Sequence, residues 1–185
     1  MKIKILILFS LLISFNLQSK TGSITGLEIP RFVSLKSNEV NLRVGPSTNY
    51  PIELMYVTKN LPVEVIEEFD SWRKIKDHNG TIGWLHKSLI QGDRFVLTGY
   101  KNYSNIDLYN RPNGSIIGVI KKNNILNLKN CLVNWCKINS ENTNTNGWVL
   151  KKNIWGIYET EKYNIKFYQP ILSYYWKIMN SKFFN

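Results

Sequence analysis

A pattern that opens at Leu42-Arg43-Val44-Gly45-Pro46, passes through Trp72 and closes at Gly83-Trp84 recurs, weakened, at Leu108-Tyr109-Asn110-Arg111-Pro112, Trp135 and Gly147-Trp148. The copies are 66 residues apart at Pro46 and Pro112, 63 at Trp72 and Trp135, and 64 at Trp84 and Trp148. Only loop-sized insertions separate them, and residues 62–75 lie over 125–138 without a gap. A unit of roughly 60 residues is near the lower limit for independent folding, so each copy should be a compact barrel rather than an enzyme-sized domain.

Within the first copy the apolar residues alternate. Val33 and Leu35 flank Ser34, and Val40, Leu42 and Val44 flank Asn41 and Arg43, the period of a half-buried strand. Further strands are expected over 53–57, 63–69, 72–77 and 81–86, the last pair joined by the hairpin signal Asn79-Gly80. A short helical turn is expected at 88–90. The second copy repeats this order near Asp107, then over 116–120, 125–132, 135–139 and 147–150, with a looser polar connection over 140–146. Short strands with few helices predict an all-β chain of two tandem small barrels.

The gapless stretch places Cys131 over Glu68 and Cys136 over Arg73. Positions i and i+5 around a four-residue hairpin connection face each other across two antiparallel strands, with Cα atoms about 4.5–5.5 Å apart. The second copy is thus expected to carry a Cys131–Cys136 disulfide where the first carries a Glu68–Arg73 ion pair. Two free thiols and a two-cysteine metal site are the alternatives. The metal site is the weaker of these, because zinc needs four ligands and neither His78 nor His86 shares this hairpin.

Both ends differ from the repeats. Met-Lys-Ile-Lys and an apolar run from Ile5 to Leu17 read as an export signal over 1–19, too short and too interrupted by Ser10, Ser14 and Asn16 to span a membrane. Residues 20–31 read as linker, 32–92 and 95–158 as the two modules, and 159–185 as a tail. Ile171, Leu172, Tyr175, Ile178, Met179 and Phe183 recur at helical spacing in that tail. The expected basic, aromatic helix would dock on the second barrel or, through residues 160–185, meet a membrane surface. The formal net charge of +11, or +9 without the signal's two lysines, favours anionic partners at encounter. With no arginine-rich block or RNA-binding motif, nucleic acid is not expected as a partner.

Asn41-Leu-Arg-Val-Gly-Pro-Ser-Thr-Asn-Tyr-Pro51, Trp72-Arg-Lys-Ile-Lys76 and Gly80-Thr-Ile-Gly-Trp-Leu-His86 resemble the opening and closing signatures of the bacterial SH3 (SH3b) domain. The second copy is similar to the paired domain found with it in exported proteins, through Asn134-Trp135-Cys136-Lys137 and Trp155-Gly156-Ile157-Tyr158. It departs where Tyr109 replaces Arg43 and Arg111 replaces Gly45. The resemblance implies two SH3-like barrels over 32–158 and an exported, periplasmic or extracellular, location.

Most of the signature serves the barrel. Leu42 and Trp84 are candidates for its interior, Pro46 belongs to a turn, Gly45 permits backbone conformations other residues resist, and Gly83 lets strands approach closely; Gly147 and Trp148 are the counterparts of Gly83 and Trp84, and Trp135, also read as structural, is that of Trp72. Arg43, Tyr50, Tyr56 and Trp72 are the candidate ligand contacts, because exposed rings beside a cation can stack on sugars or peptides. Catalysis has little support. The cysteines are accounted for by each other, Glu67, Glu68 and Asp70 face no second carboxylate, and no phosphate-binding loop is present.

The expected function is therefore that of a non-enzymatic binding module, without cofactor or metal. Its expected ligand is a cell-wall polymer, peptidoglycan or its stem peptide, held chiefly by the first barrel. An envelope-protein partner is the alternative, and the oligomeric state is left open.

Overall fold

The computed structural model describes residues 20–100, 104–140 and 145–165, and positions 171, 174, 175, 178 and 179. The expected signal, part of the 140–146 connection and most of the expected tail helix lie outside the described residues. The five tail positions are helical, and Ile171, Tyr174 and Tyr175 are exposed rather than packed on the barrel. Among the described residues no helix is long and apolar enough to cross a membrane.

Residues 20–31 are not plain linker. Strands β1 (Lys20–Thr21) and β2 (Glu28–Ile29) pair with each other ahead of the first barrel. That barrel comprises β3 (Arg31–Leu35), β4 (Val40–Arg43), β5 (Ile52–Tyr56), β6 (Pro62–Phe69), β7 (Trp72–Lys76), β8 (Ile82–His86) and β9 (Ile90–Gln91). The second comprises β10 (Phe95–Thr98), β11 (Ile106–Tyr109), β12 (Ile116–Ile120), β13 (Ile125–Cys131), β14 (Trp135–Ser140), β15 (Thr145–Leu150) and β16 (Ile154–Trp155). The neighbour order β5-β4-β8-β7-β6-β3-β9 in one sheet is matched by β12-β11-β15-β14-β13-β10-β16 in the other, so the sequence repeat is a repeat of topology. A 3-10 turn, Lys87–Leu89 or Lys151–Asn153, precedes the last strand of each. The register shift between Val65 and Glu67 in β6 recurs between Leu128 and Asn130 in β13.

Alternation along the strands fills each interior. Leu35, Val40, Leu42, Val63, Val65, Ile75 and Leu85 are fully buried in the first core, and Val96, Cys131, Cys136, Ile138 and Val149 in the second. Trp84 departs from expectation. It pairs with Arg43 on one side and Lys74 on the other, on the opposite face of the sheet from Leu85, and Lys74 Nζ lies over its ring at 5.6 Å. It is buried by side chains laid across the outside of the barrel, not by the interior.

Gly83 answers to close strand approach: a Cβ there would stand 2.6 Å from Leu42 Cγ and 2.9 Å from the Arg43 carbonyl. Gly147 meets Leu108 and the Tyr109 carbonyl in the same way. Gly45 is needed for space rather than for unusual backbone, since a Cβ would run 2.5 Å from the Tyr50 ring.

The barrels meet at an aromatic joint. The Phe32 ring lies 5.1 Å from that of Trp155, edge on, and 4.7 Å from that of Tyr158. Tyr158 Oη donates to Glu64 Oε1 at 2.9 Å, and Ser34 Oγ donates to the Asp93 carbonyl at 2.8 Å. Arg94 lies over the Phe32 and Tyr163 rings while donating to Glu161 and to the Gly156 carbonyl, which ties the tail segment to the joint.

Candidate functional site

The first barrel presents its signature residues on one outer face. Arg43 sits beside Trp84, Trp84 beside Lys74, and Trp72 beside His86, with the Trp72 and His86 rings 5.6 Å apart, edge on. The loop from 44 to 51 folds over this edge. The Val44 N–H donates to the Pro51 carbonyl and the Tyr50 N–H to that of Ser47, and the Tyr50 ring closes over Gly45. Arg43 Nη1 donates to the Tyr50 carbonyl at 2.7 Å, so one of its donors holds the loop. The Tyr50 ring remains 46% exposed beside exposed Val44 and Ile52.

Three of the four candidate contacts therefore reach this outer face or its loop, and the fourth does not. Tyr56 is only 9% exposed, packed into the barrel core, with its hydroxyl donating to Asp77 Oδ2 at 3.1 Å. Burial and, after it, the Asp77 carboxylate push the phenol well above its usual range. Asp77 also accepts from the Asn79 and Thr81 N–H groups, so Tyr56 braces the distal hairpin. Gly80 has φ +88° in that turn.

The second barrel repeats the face with different chemistry. Tyr109 and Lys137 flank Trp148 as Arg43 and Lys74 flank Trp84, and the Tyr109 and Trp135 rings meet edge on at 4.9 Å. Replacing the arginine with tyrosine leaves a ring pair beside a cleft of about 430 Å³ bounded by Asn113, Val133, Trp135, Leu150 and Lys152. The second barrel, although the ligand is expected chiefly on the first, thus carries a cleft of its own.

The paired hairpin positions stand as aligned. Cys131 and Cys136 are directly opposite and disulfide-bonded, with Cα atoms 4.1 Å apart. Glu68 faces Arg73, whose Nε is 3.4 Å from Glu68 Oε1. Glu68 does more than pair with Arg73. Its side chain is inaccessible and accepts from Arg31 at 2.7 Å, from Thr25 Oγ1 at 2.8 Å and from the Ile24 and Thr25 N–H groups at 3.1 and 2.9 Å. Burial pushes the carboxyl up, but Arg31, Thr25 and the two backbone donors outweigh it and bring it down to about 2.

Arg94, at the position of Arg31, finds no acid at 131 and binds Glu161 of the tail instead at 2.7 Å. The signal for both arginines was Arg-Phe-Val at 31–33 and again at 94–96, a further stretch of the repeat. The arrangement can bind through rings, amides and lysines. Among the described residues no group of three or more His, Cys, Asp and Glu side chains could hold a metal.

Residues 36–92 match the family model of the bacterial SH3 domain, and residues 93–154 match that of the GW (Gly-Tryp) dipeptide domain. Both are cell-wall-binding modules. No curated protein matches the chain. Among solved structures it is similar to NlpC2 from Trichomonas vaginalis, 12% identical over 68% of this chain and 48% of that one, with a TM-score of 0.31. NlpC1 from the same organism is 12% identical over 72% and 48%, with a TM-score of 0.31. The endolysin LysPBC5 CBD is 19% identical over 66% and 90%, with a TM-score of 0.28. The chain spans about half the length of the two NlpC chains.

Proposed function

We propose that this chain, a bacterial SH3 domain followed by a GW dipeptide domain, is an exported, non-enzymatic binding protein whose ligand is peptidoglycan or its stem peptide. The observation that carries the reading is the loop from 44 to 51. Arg43, on the outer face that also carries Trp72, fixes its backbone through the Tyr50 carbonyl, and the Tyr50 ring is exposed. Rigid rings beside a cation take a sugar face or a peptide chain with little entropy lost on binding. The buried disulfide is consistent with an oxidising compartment. The cleft at Trp135 offers a second surface of the same kind.

Co-sedimentation with purified sacculi at low salt tests the reading. The wild-type chain should pellet with them, and Tyr50→Ala should lose roughly tenfold in affinity, the ~1.4 kcal/mol typical of one good ring contact. Arg43→Ala should lose less if loop order is its main contribution. Failure of the wild type to pellet, while a known wall binder does so in parallel, overturns the proposal.

A second reading, membrane-surface contact through the tail, draws on the exposed Ile171, Tyr174 and Tyr175. Glu161 and Tyr163 brace the second barrel, so its test is truncation after 165, which should release the protein from anionic vesicles.

A further inference from the structure

The cleft beside Trp135, at about 430 Å³, falls within the roughly 300–1,000 Å³ of small-molecule sites. It lies where the two barrels differ. Trp72 is paired with His86, whose ring meets it edge on, whereas Trp135 is paired with Leu150 and meets the Tyr109 ring instead, at 82°. Two ordered turns bound the cleft. Asn113, at φ +55°, lies in a turn closed by the Gly114 N–H donating to the Arg111 carbonyl at 3.0 Å, and Asn134 sits at the tip of the β13–β14 hairpin, its carbonyl accepting from the Lys151 N–H at 2.9 Å. Both asparagines are exposed, while Trp135 and Leu150 are half-buried.

The lining charges argue for a neutral ligand. Lys151 is 5% exposed, and its Nζ is spent on the Glu159 and Glu161 carbonyls at 3.1 and 2.7 Å. What an entering molecule meets is one exposed ammonium, Lys152, and one exposed carboxylate, Glu159. The backbone argues against an extended peptide. β14 and β15, which carry Trp135 and Leu150, are interior strands with a neighbour on each side, so no free main-chain edge is offered to an added strand. Recognition is left to a ring face and side-chain amides. The C–H face of a pyranose suits the indole, and an acetamido group, with one donor and one acceptor, matches an asparagine amide that has both. The remaining hydroxyls stay in water, because the cleft opens between exposed side chains and buries none of them unpaired.

We propose that the Trp135 cleft of the second barrel binds an N-acetylated amino sugar of a glycan chain. The Trp135 indole takes the apolar face of the sugar ring, Asn134 exchanges hydrogen bonds with the acetamido group, and Val133, 62% exposed at the same hairpin tip, covers the acetyl methyl. The inference rests on the envelope reading only for the source of the glycan, and it gives the second barrel a ligand of its own.

The test uses the full chain labelled with ¹⁵N, with the Trp135 indole resonance assigned by its loss in Trp135→Phe. Titration with tri-N-acetylchitotriose should move that resonance saturably. Cellotriose, which has hydroxyls in place of the acetamido groups, should bind about tenfold more weakly, and Asn134→Ala should lose about tenfold in affinity for the acetylated sugar, the weight of one to two neutral hydrogen bonds. Asn134→Ala should also bind the two sugars almost equally. No displacement of the Trp135 resonance overturns the proposal, as does equal affinity of the wild type for the two sugars, or an unchanged affinity in Asn134→Ala. Tighter binding of a glycerol phosphate oligomer at the same resonance overturns it too, in favour of an anionic polymer. Sacculus binding that is lost in Tyr50→Ala, with no chitotriose titration, removes this site and spares the wall reading. A chitotriose titration without sacculus binding does the reverse.

Discussion

Glu68 is the residue on which the start of the chain is folded. A fully buried carboxylate is costly unless paired and hydrogen-bonded, and here two arginines, a threonine hydroxyl and two backbone N–H groups meet that need. Removing the charge while keeping the shape, as in Glu68→Gln, leaves the buried Arg73 and the half-buried Arg31 without their counter-ion and should cost roughly 3–5 kcal/mol at pH 7, read by chemical denaturation. The pH dependence follows from the depressed carboxyl. Its contribution is complete above the ordinary value of 4.5 and drains as the pH falls towards about 2, an interval worth roughly 3 kcal/mol. The gap between wild type and Glu68→Gln should therefore narrow across that window; a gap independent of pH would refute the assignment. The Glu68–Arg73 pairing was legible because two copies of one hairpin could be laid over each other. The part played by Thr25 and Ile24 was not, since a Gly, Ser and Thr-bearing stretch gives no apolar period from which docking can be read. Tyr56 was misplaced for a related reason: alternation places a tyrosine on a strand but does not say that an aspartate 21 residues later will take its hydroxyl inside.

At the scale of the element, one hairpin does the same work twice by different means. The turn end of β6–β7 is held by charge and receives the N-terminal ladder through Glu68. The turn end of β13–β14 is held by a disulfide and receives the C-terminal segment through the backbone, Cys131 and Tyr163 exchanging N–H donors at 2.9 and 3.2 Å. With the acid gone from position 131, the arginine equivalent to Arg31 turns to Glu161, so the tail supplies the charge that the hairpin no longer has. The disulfide closes a loop with a sequence separation of five, for which chain entropy gives about 2 kcal/mol at 25 °C. Reduction should lower stability by about that amount without unfolding the protein, measured by denaturation with and without reductant, and the oxidised protein should show no free thiol under denaturing conditions. Two titratable thiols would refute the bond. Strand order was legible in the alternation and in the spacing of turn residues. Which face a tryptophan takes was not, because Trp84 is nearly as buried on the outside under Lys74 as it would be within.

For the whole molecule, the question is whether the two barrels are one cooperative unit. The repeat predicts two modules and is silent about their joint, because Trp155, Tyr158 and Arg94 act at a distance in sequence that no local period records. Phe32 is the centre of that joint, 6% exposed and in ring contact with both Trp155 and Tyr158. Two aromatic pairs contribute about 0.5–1.5 kcal/mol each beyond the area they bury, and the Tyr158–Glu64 hydrogen bond about 1 kcal/mol more. Burial of the hydroxyl and, after it, the Glu64 charge raise the Tyr158 phenol, so this bond persists through neutral pH and well above it. A coupling of a few kcal/mol is comparable with the net stability of a small domain, which is about 5 kcal/mol at the low end, and is enough to make the barrels unfold together. Calorimetry of the wild-type chain should show one transition. Phe32→Ala should resolve it into two, the joint having lost both ring contacts. Ile75→Ala, which opens a cavity deep in the first core, away from the joint, should lower the transition temperature while leaving a single peak. Two transitions in the wild type would mean that the barrels are joined by covalent connection alone, and a single one in Phe32→Ala, with the same width as in Ile75→Ala, would mean that their coupling does not run through the Phe32 ring contacts.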